Sequence, residues 1–214
     1  MNTVTPTPTL PILTAVNKVI AAVRKDHPSI PDVVVVLGPS APTKHGHFAP
    51  KSWAHTDASI DTPLHEVLLS GESLKRGAVP TFGTIVHELA HAYCHANDIQ
   101  DTSNRGRYHN KKFKEVAEEF GLLIEQAPTI GYSVTEVSEA TTAKYAEVIQ
   151  DLSDAIHVYR STSLLDGTTK KPRKASAKFE MTCACGTEKV SKKFQYRHFT
   201  CDDCGEVALV AQVS

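Results

Sequence analysis

The segment VHELAHAY places His87 and His91 four residues apart, and this spacing constrains the fold more than any other feature of the chain. Residues four apart in an α-helix share a face, so both imidazoles can bind one metal ion. Glu88 lies about 100° around the helix from His87, where it can contact a metal-bound water without being a ligand. The segment predicts a helix over residues 81–96 with His87 and His91 as zinc ligands and Glu88 as general base.

A catalytic zinc ion needs a third protein ligand, and the residues leave several alternatives open. His95 extends the same helix, but three successive histidines at this spacing cannot all converge on one tetrahedral ion. Glu115, Glu118 or Glu119 on the next predicted helix would complete a His/His/Glu site. His109, immediately before that helix, would complete a three-histidine site, and spacing alone does not choose among these residues.

Four of the five cysteines lie close to the end of the chain as two pairs, each followed by glycine. Cys183 and Cys185 are separated by 15 residues from Cys201 and Cys204. Two such pairs are typical of a structural zinc site with four thiolate ligands. Two disulfides are the alternative, which a reducing compartment disfavours. A module of about 35 residues has too little apolar content to fold alone, so metal would supply its stability.

Charge is divided unevenly along the chain. The whole sequence has 23 basic and 24 acidic residues, which excludes a general attraction to nucleic acid. Residues 170–214, however, have a net charge of +4, against −5 for residues 1–169. Basic and aromatic side chains alternate there, a pattern that favours DNA binding by phosphate contact and base stacking. The alternative is a solvated basic hairpin whose aromatic side chains pack inward.

Membrane insertion and secretion are not indicated by the sequence. No stretch approaches the ~18 consecutive apolar residues of a membrane-spanning helix. The first ten residues, MNTVTPTPTL, lack the basic and then apolar pattern of a secretory signal. We therefore expect a cytoplasmic protein with no membrane partner.

Hydrophobic periodicity predicts a small α+β fold. A first helix begins at Pro11 and is ended by Pro28 and Pro31, and Gly121 is placed to end the helix at 110–120. The remaining predictions are strands at 33–37, 47–53 and 66–70, loops at 38–46 and 71–80, and a long amphipathic helix at about 136–159.

Four segments together resemble a known family: EVLLS (66–70), GTIVHELAHAYCH (83–95), GRYHNKKFKEVAEEFGL (106–122) and the cysteine-containing stretch 179–205. The chain is similar to the SprT-like zinc metallopeptidases, which include Spartan, and most of all to short bacterial and phage members. The similarity covers most of residues 10–125 and 179–209. It implies a zincin-like domain, with a helix, a short antiparallel sheet, the HExxH helix and further helices, followed by a zinc ribbon.

The resemblance also implies a site and a function. It makes His109 the third ligand of a catalytic zinc, with Cys183, Cys185, Cys201 and Cys204 holding a structural zinc. We expect a metallopeptidase of bacterial or phage-infected host cytoplasm that acts on DNA-associated or DNA-crosslinked proteins, since eukaryotic members cleave such substrates. The alternatives are a nucleic-acid-binding accessory protein that uses the peptidase fold as a scaffold, and a hydrolase of other bonds.

The expected organisation follows from these assignments. Tyr108 or Tyr132 is proposed to stabilise the oxyanion. The predicted parts are a disordered lead (1–10), the metallopeptidase domain (11–160), a basic linker (161–178) and the zinc ribbon (179–214). DNA would bind through residues 170–214.

Overall fold

The computed structural model describes residues 7–41, 44–161, 178–190, 199–200 and 204–213. The chain forms two compact units, residues 1–162 and 163–214. Both helices and small sheets are present, which confirms the predicted α+β class. Within the described ranges, the helices are too short or too polar to cross a membrane.

In the first unit, the part of the chain that the structure describes forms five α-helices, a short 3₁₀ helix and seven strands. Its helices are α1 (Thr9–Asp26), α2 (Ala78–Ala96), α3 (Lys111–Glu119), α4 (Glu139–Lys144) and α5 (Ala146–Ala155), with the 3₁₀ helix at Gly71–Arg76. Its strands are β1 (Val33–Gly38), β2 (Gly46–Trp53), β3 (Leu64–Ser70), β4 (Thr102–Ser103), β5 (Tyr108–His109), β6 (Leu122–Ala127) and β7 (Gly131–Val137).

Helix α2 occupies the centre of the hydrophobic core. It packs against α1, α3 and α5 and against strands from both sheets of the unit. Phe82, Ile85 and Leu89 are fully buried along it, and Val16 and Val19 of α1 are buried in the same core. The HExxH segment is therefore held rigidly, because its helix is packed on several sides.

Both sheets of this unit pack against the α2 helix, mainly through β2 in one sheet and β7 in the other. In the first sheet, the order is β1-β3-β2, with β1 parallel and β2 antiparallel to β3. In the second, the order is β4-β5-β7-β6, and the β5–β7 pairing brings His109 opposite Gly131. Helix α2 contacts both β2, which precedes it in the sequence, and β7, which comes well after it.

Two sequence predictions need correction. The first sheet is mixed instead of antiparallel, because β1 and β3 run parallel. The single helix predicted at 136–159 is instead two shorter helices: residues 131–137 form a strand, a break at Tyr145 separates α4 from α5, and α5 ends at Ala155. Its apolar residues do recur at helical spacing, but Val137 pairs with Leu122 of β6, so the tertiary pairing overrides the local pattern.

Helix boundaries also differ from the predictions at two places. Helix α1 begins at Thr9, inside the predicted disordered lead, and residues 1–6 of that lead lie outside the described residues. The predicted loop at 71–80 contains the 3₁₀ helix and the first turn of α2. Pro80 is accommodated there because the first turn of a helix needs no backbone N–H from it.

The described residues of the second unit form four strands, β8 (Lys178–Cys183), β9 (Gly186–Val190), β10 (Phe199–Thr200) and β11 (Val207–Val213). They form one sheet in the order β10-β11-β8-β9, and every pairing in it is antiparallel. The predicted linker lies almost entirely outside the described residues, as do Lys192, Lys193 and Arg197 of the basic and aromatic stretch.

Candidate metal centre and active site

The structure brings His87, His91 and His109 together. Their ligand nitrogens all lie within 4.8 Å of one another. His87 and His91 come from successive turns of α2, and His109 ends strand β5, just before α3 begins. The Nε2 atoms of His91 and His109 are 3.1 Å apart.

Each of the three rings is anchored through its other nitrogen. Nδ1 of His91 lies 2.5 Å from a carboxylate oxygen of Asp101. Nδ1 of His109 donates to the backbone carbonyl of Ile130 at 3.1 Å, and Nδ1 of His87 lies 2.9 Å from the hydroxyl of Thr135. Such partners fix the tautomer and orientation of metal-binding histidines.

This arrangement fits a bound cation. A carbonyl or carboxylate accepts a hydrogen bond, so the Nδ1 atoms of His109 and His91 donate, and in the neutral rings the facing Nε2 atoms present lone pairs. Two lone pairs 3.1 Å apart repel each other unless a positive charge lies between them. Zinc–nitrogen bonds of about 2.0–2.1 Å in tetrahedral geometry place two ligand nitrogens roughly 3.4 Å apart, close to the observed separation.

The surroundings keep the ring nitrogens available for metal. Burial lowers the pKa of His87 well below its ordinary value, and the neighbouring histidines act in the same direction. Burial also lowers the pKa of His109. Both shifts favour the neutral imidazole, which is the form that binds metal.

Phe113 and Gly131 determine how closely the three histidines pack. The ring of Phe113 is fully buried, and its centroid lies 4.4 to 4.7 Å from those of all three histidines. Gly131 has a φ of 73°, and a Cβ there would lie 2.1 Å from the carbonyl oxygen of His109. Only glycine therefore permits the close approach of β7 to β5 that sets His109.

Glu88 lies beside the histidine cluster and is itself buried, with 6% of its surface exposed. Burial raises its pKa to about 7, while His91, Lys44 and the backbone N–H of Phe48 act in the opposite direction. The carboxylate packs closely on β2, where a Cβ added at Gly46 would lie 2.6 Å from Oε1. Because burial penalises the charged form, this carboxylate binds a proton more readily than an exposed glutamate does.

A cavity of about 670 Å³ opens onto these groups. One wall is formed by residues 44–48 and Pro50, which belong to β2 or precede it, and the floor by the α2 residues His87, Glu88 and His91. Arg105, Ile130 and Ser133 line the opposite side. The volume is within the range of ligand-binding clefts and cavities in proteins.

The other sequence candidates lie elsewhere. Glu115, Glu118 and Glu119 are exposed on α3 and do not belong to the histidine cluster. His95 lies in the same cavity but packs against His65 and Phe48. Tyr108 and Tyr132, proposed for the oxyanion, are absent from the lining of the cavity.

A second group of metal-ligating side chains lies in the second unit. The sulfur atoms of Cys183, Cys185 and Cys204 lie within 4.8 Å of one another. Cys183 ends β8, Cys185 belongs to the turn before β9, and Cys204 follows β10. Cys201, the fourth predicted ligand, lies outside the described residues.

Several residues of the site were missed by the sequence reasoning. Asp101, Thr135 and Ile130 orient the three histidines, and Gly46 makes room for the Glu88 carboxylate. No motif marks them, because each acts through a contact between segments 10 to 48 residues apart in sequence. The clearest available signal was Asp101, an acidic residue between the HExxH helix and His109.

No protein-family model, curated protein or solved structure matches this chain. The chemistry of both clusters is therefore inferred from the residues and their geometry.

Proposed function

We propose that the chain is a SprT-like, zinc-dependent metallopeptidase with a zincin-like catalytic domain and a C-terminal zinc ribbon. One observation carries the proposal: three histidines, each held through Nδ1, present their remaining nitrogens to one point beside the buried Glu88. The proposed ligands of the catalytic zinc are His87, His91 and His109. Those of the structural zinc are Cys183, Cys185, Cys201 and Cys204.

The residues of the site divide the chemistry among them. A zinc ion held by His87, His91 and His109 would supply Lewis acidity and would lower the pKa of a bound water toward ~7. Glu88 accepts a proton from the attacking water and delivers it to the amine that leaves. Asp101, Thr135 and the Ile130 carbonyl hold the imidazole rings in place, which reduces reorganisation during the reaction.

The position of β2 supports a polypeptide substrate. Within the described part of the chain, β2 pairs only with β3 and forms an edge of its sheet. Its first residues line the cavity, and the Phe48 N–H points to Glu88. An extended segment of substrate can add to such an edge as a further strand, which places a peptide carbonyl beside the histidines.

The cysteine cluster and the charge of the second unit support a DNA-related role. Four thiolates leave no open coordination position, so this zinc would be structural. The net charge of +4 over residues 170–214 favours phosphate contacts. We propose that this segment binds DNA and brings the peptidase to proteins associated with or crosslinked to it.

The test compares wild type with Glu88→Gln, which keeps the shape of the side chain and removes its basicity. Cleavage of a protein substrate, and of the chain itself, is measured with and without single-stranded DNA, and zinc is quantified in both proteins. We expect about two zinc ions in each and cleavage by wild type only. A matched deletion of residues 170–214 is expected to abolish DNA binding while leaving the first unit folded.

Other outcomes identify the alternatives. Full zinc content with no cleavage by wild type, together with DNA binding, would favour an accessory protein that uses the peptidase fold as a scaffold. Hydrolysis of small esters or amides without peptide cleavage would favour another metallohydrolase. Full DNA affinity after the deletion would refute the role given to residues 170–214.

A further inference from the structure

Arg76 lies at the end of the 3₁₀ helix, where the main cavity meets a second one. The second cavity, of about 460 Å³, lies between the start of α2 and helix α5, and Arg76 and Pro80 line both. The Nη2 atom of Arg76 donates to the Thr84 hydroxyl at 2.7 Å. Weaker contacts reach the carbonyls of Ser73 and Pro80, at 3.4 and 3.5 Å. These contacts hold the guanidinium in a defined position at the junction.

The charge of Arg76 has no counter-ion among the described residues. Its three acceptors are neutral oxygens, whereas Arg24 and Arg160 each pair with a carboxylate. Arg76 is also half-buried, so part of its hydration is lost. A partly desolvated guanidinium that lacks a counter-ion favours the binding of an anion. A carboxylate suits it well, because its two oxygens can accept hydrogen bonds from two N–H groups of the guanidinium.

The distance to the reacting centre follows from the helix. Thr84, to which Arg76 is bonded, precedes Glu88 by four residues, which is roughly 6 Å along the α2 axis. An extended peptide advances about 3.3 Å per residue. The guanidinium therefore lies roughly two residues of substrate away from the peptide bond beside Glu88.

We propose that Arg76 binds an acidic side chain of the substrate polypeptide, roughly two residues from the bond that is cut. This inference rests on the proposed peptidase function and adds a substrate class, namely segments that contain Asp or Glu. A nucleic-acid backbone fits the position less well, because phosphates recur regularly and require a track of cations. In the second cavity Arg76 is the single cation, among apolar side chains such as Val79, Pro80 and Ile149, whereas Lys44 and Arg105 also line the main cavity.

The experiment uses the zinc-loaded full chain and short synthetic peptides of otherwise identical sequence. Glu, Gln or Lys is placed in turn at each of three positions on either side of the bond that is cut. Binding of labelled peptides to the Glu88→Gln protein gives Kd, and cleavage by wild type gives kcat/KM. Arg76→Gln and Arg76→Glu are compared with Lys75→Gln, which removes the same charge from the exposed neighbouring side chain.

At one position we expect Glu to be preferred over Gln by roughly 10- to 100-fold, in binding and in kcat/KM. Arg76→Gln should bring this ratio close to one. Arg76→Glu should favour the Lys peptide, and Lys75→Gln should behave as wild type. Zinc content and thermal unfolding verify that each variant is folded.

Three results separate this inference from the proposed function. Cleavage without any preference for Glu, or a preference that survives in Arg76→Gln, would overturn the role of Arg76 and leave the peptidase intact. Preferential binding of the Glu peptide that depends on Arg76, without cleavage by wild type, would support the anion site and refute the peptidase. Loss of DNA affinity in Arg76→Gln with unchanged peptide selectivity would assign the residue to nucleic acid and overturn the inference.

Discussion

Gly46 provides the sharpest test of how Glu88 is positioned. It begins β2, and its α-carbon lies against the Glu88 carboxylate and the Thr84 methyl group. A Cβ added at Gly46 would lie 2.6 Å from Oε1 of Glu88 and 2.8 Å from Cγ2 of Thr84. We therefore expect Gly46→Ala to displace the carboxylate without removing any functional group.

The expected losses of rate and of stability follow from these distances. An ordinary contact begins near 3.4 Å, so Oε1 must move about 0.8 Å away from β2 or the strand must move instead. Because a misplacement of 1 Å can cost about 10²-fold in rate, we expect kcat to fall by roughly 30- to 100-fold. The crowding should also lower the free energy of unfolding by about 1–3 kcal/mol.

Gly38→Ala is the matched control. Gly38 ends β1 of the same sheet, and a Cβ there would meet Leu68 and Val36 at 3.7 and 3.8 Å, which are ordinary contacts. It should leave kcat unchanged and leave the free energy of unfolding equal or slightly higher. Peptide hydrolysis, zinc content and urea denaturation are measured for both variants.

The reasoning fails if Gly46→Ala, with full zinc content, retains the kcat and stability of wild type. It also fails if Gly38→Ala is impaired to the same extent, because the effect would then come from adding a methyl group to the sheet. A loss of zinc in Gly46→Ala would place the damage at the histidines instead of at Glu88.

Three further predictions concern the metal sites and the core. Asp101→Asn removes the charge that faces Nδ1 of His91 and should weaken zinc affinity about 10- to 100-fold, measured by competition with a chelating dye. Unchanged zinc affinity would contradict the orienting role of Asp101. Cys185→Ser should lower the zinc content from about two ions per chain to one, while cleavage of a peptide substrate in the absence of DNA persists. Retention of both zinc ions would contradict the thiolate site. The ring of His27 stacks on that of Phe120, with the ring centroids 3.7 Å apart, and burial lowers the pKa of His27. Protonation of His27 therefore opposes folding, so the stabilisation that is present above about pH 6.5 is lost as the pH falls. The free energy of unfolding of wild type should therefore fall relative to His27→Phe between about pH 7 and pH 5, and a constant difference would refute the assignment.

Local hydrophobic patterns were sufficient to predict the elements in which the periodicity of the sequence agrees with the packing. Helices α2 and α3 have apolar faces at helical spacing, and both were predicted to within a few residues. The helix predicted at about 136–159 is shorter and interrupted: Glu136 and Val137 belong to strand β7, and a break at Tyr145 separates α4 from α5. The pairing of β7 with β6 decides where helical structure can begin, and local spacing carries no information about that pairing.

The sequence by itself determined which chemistry is available. Two histidines and a glutamate at fixed helical offsets, and cysteines in two close pairs, bring ligands together through short-range geometry alone. The tertiary structure decided what completes the site: Asp101 behind His91, the Ile130 carbonyl behind His109, and the fit of Glu88 against Gly46. These contacts join segments that only packing brings within hydrogen-bond distance, so no spacing in the sequence predicts them.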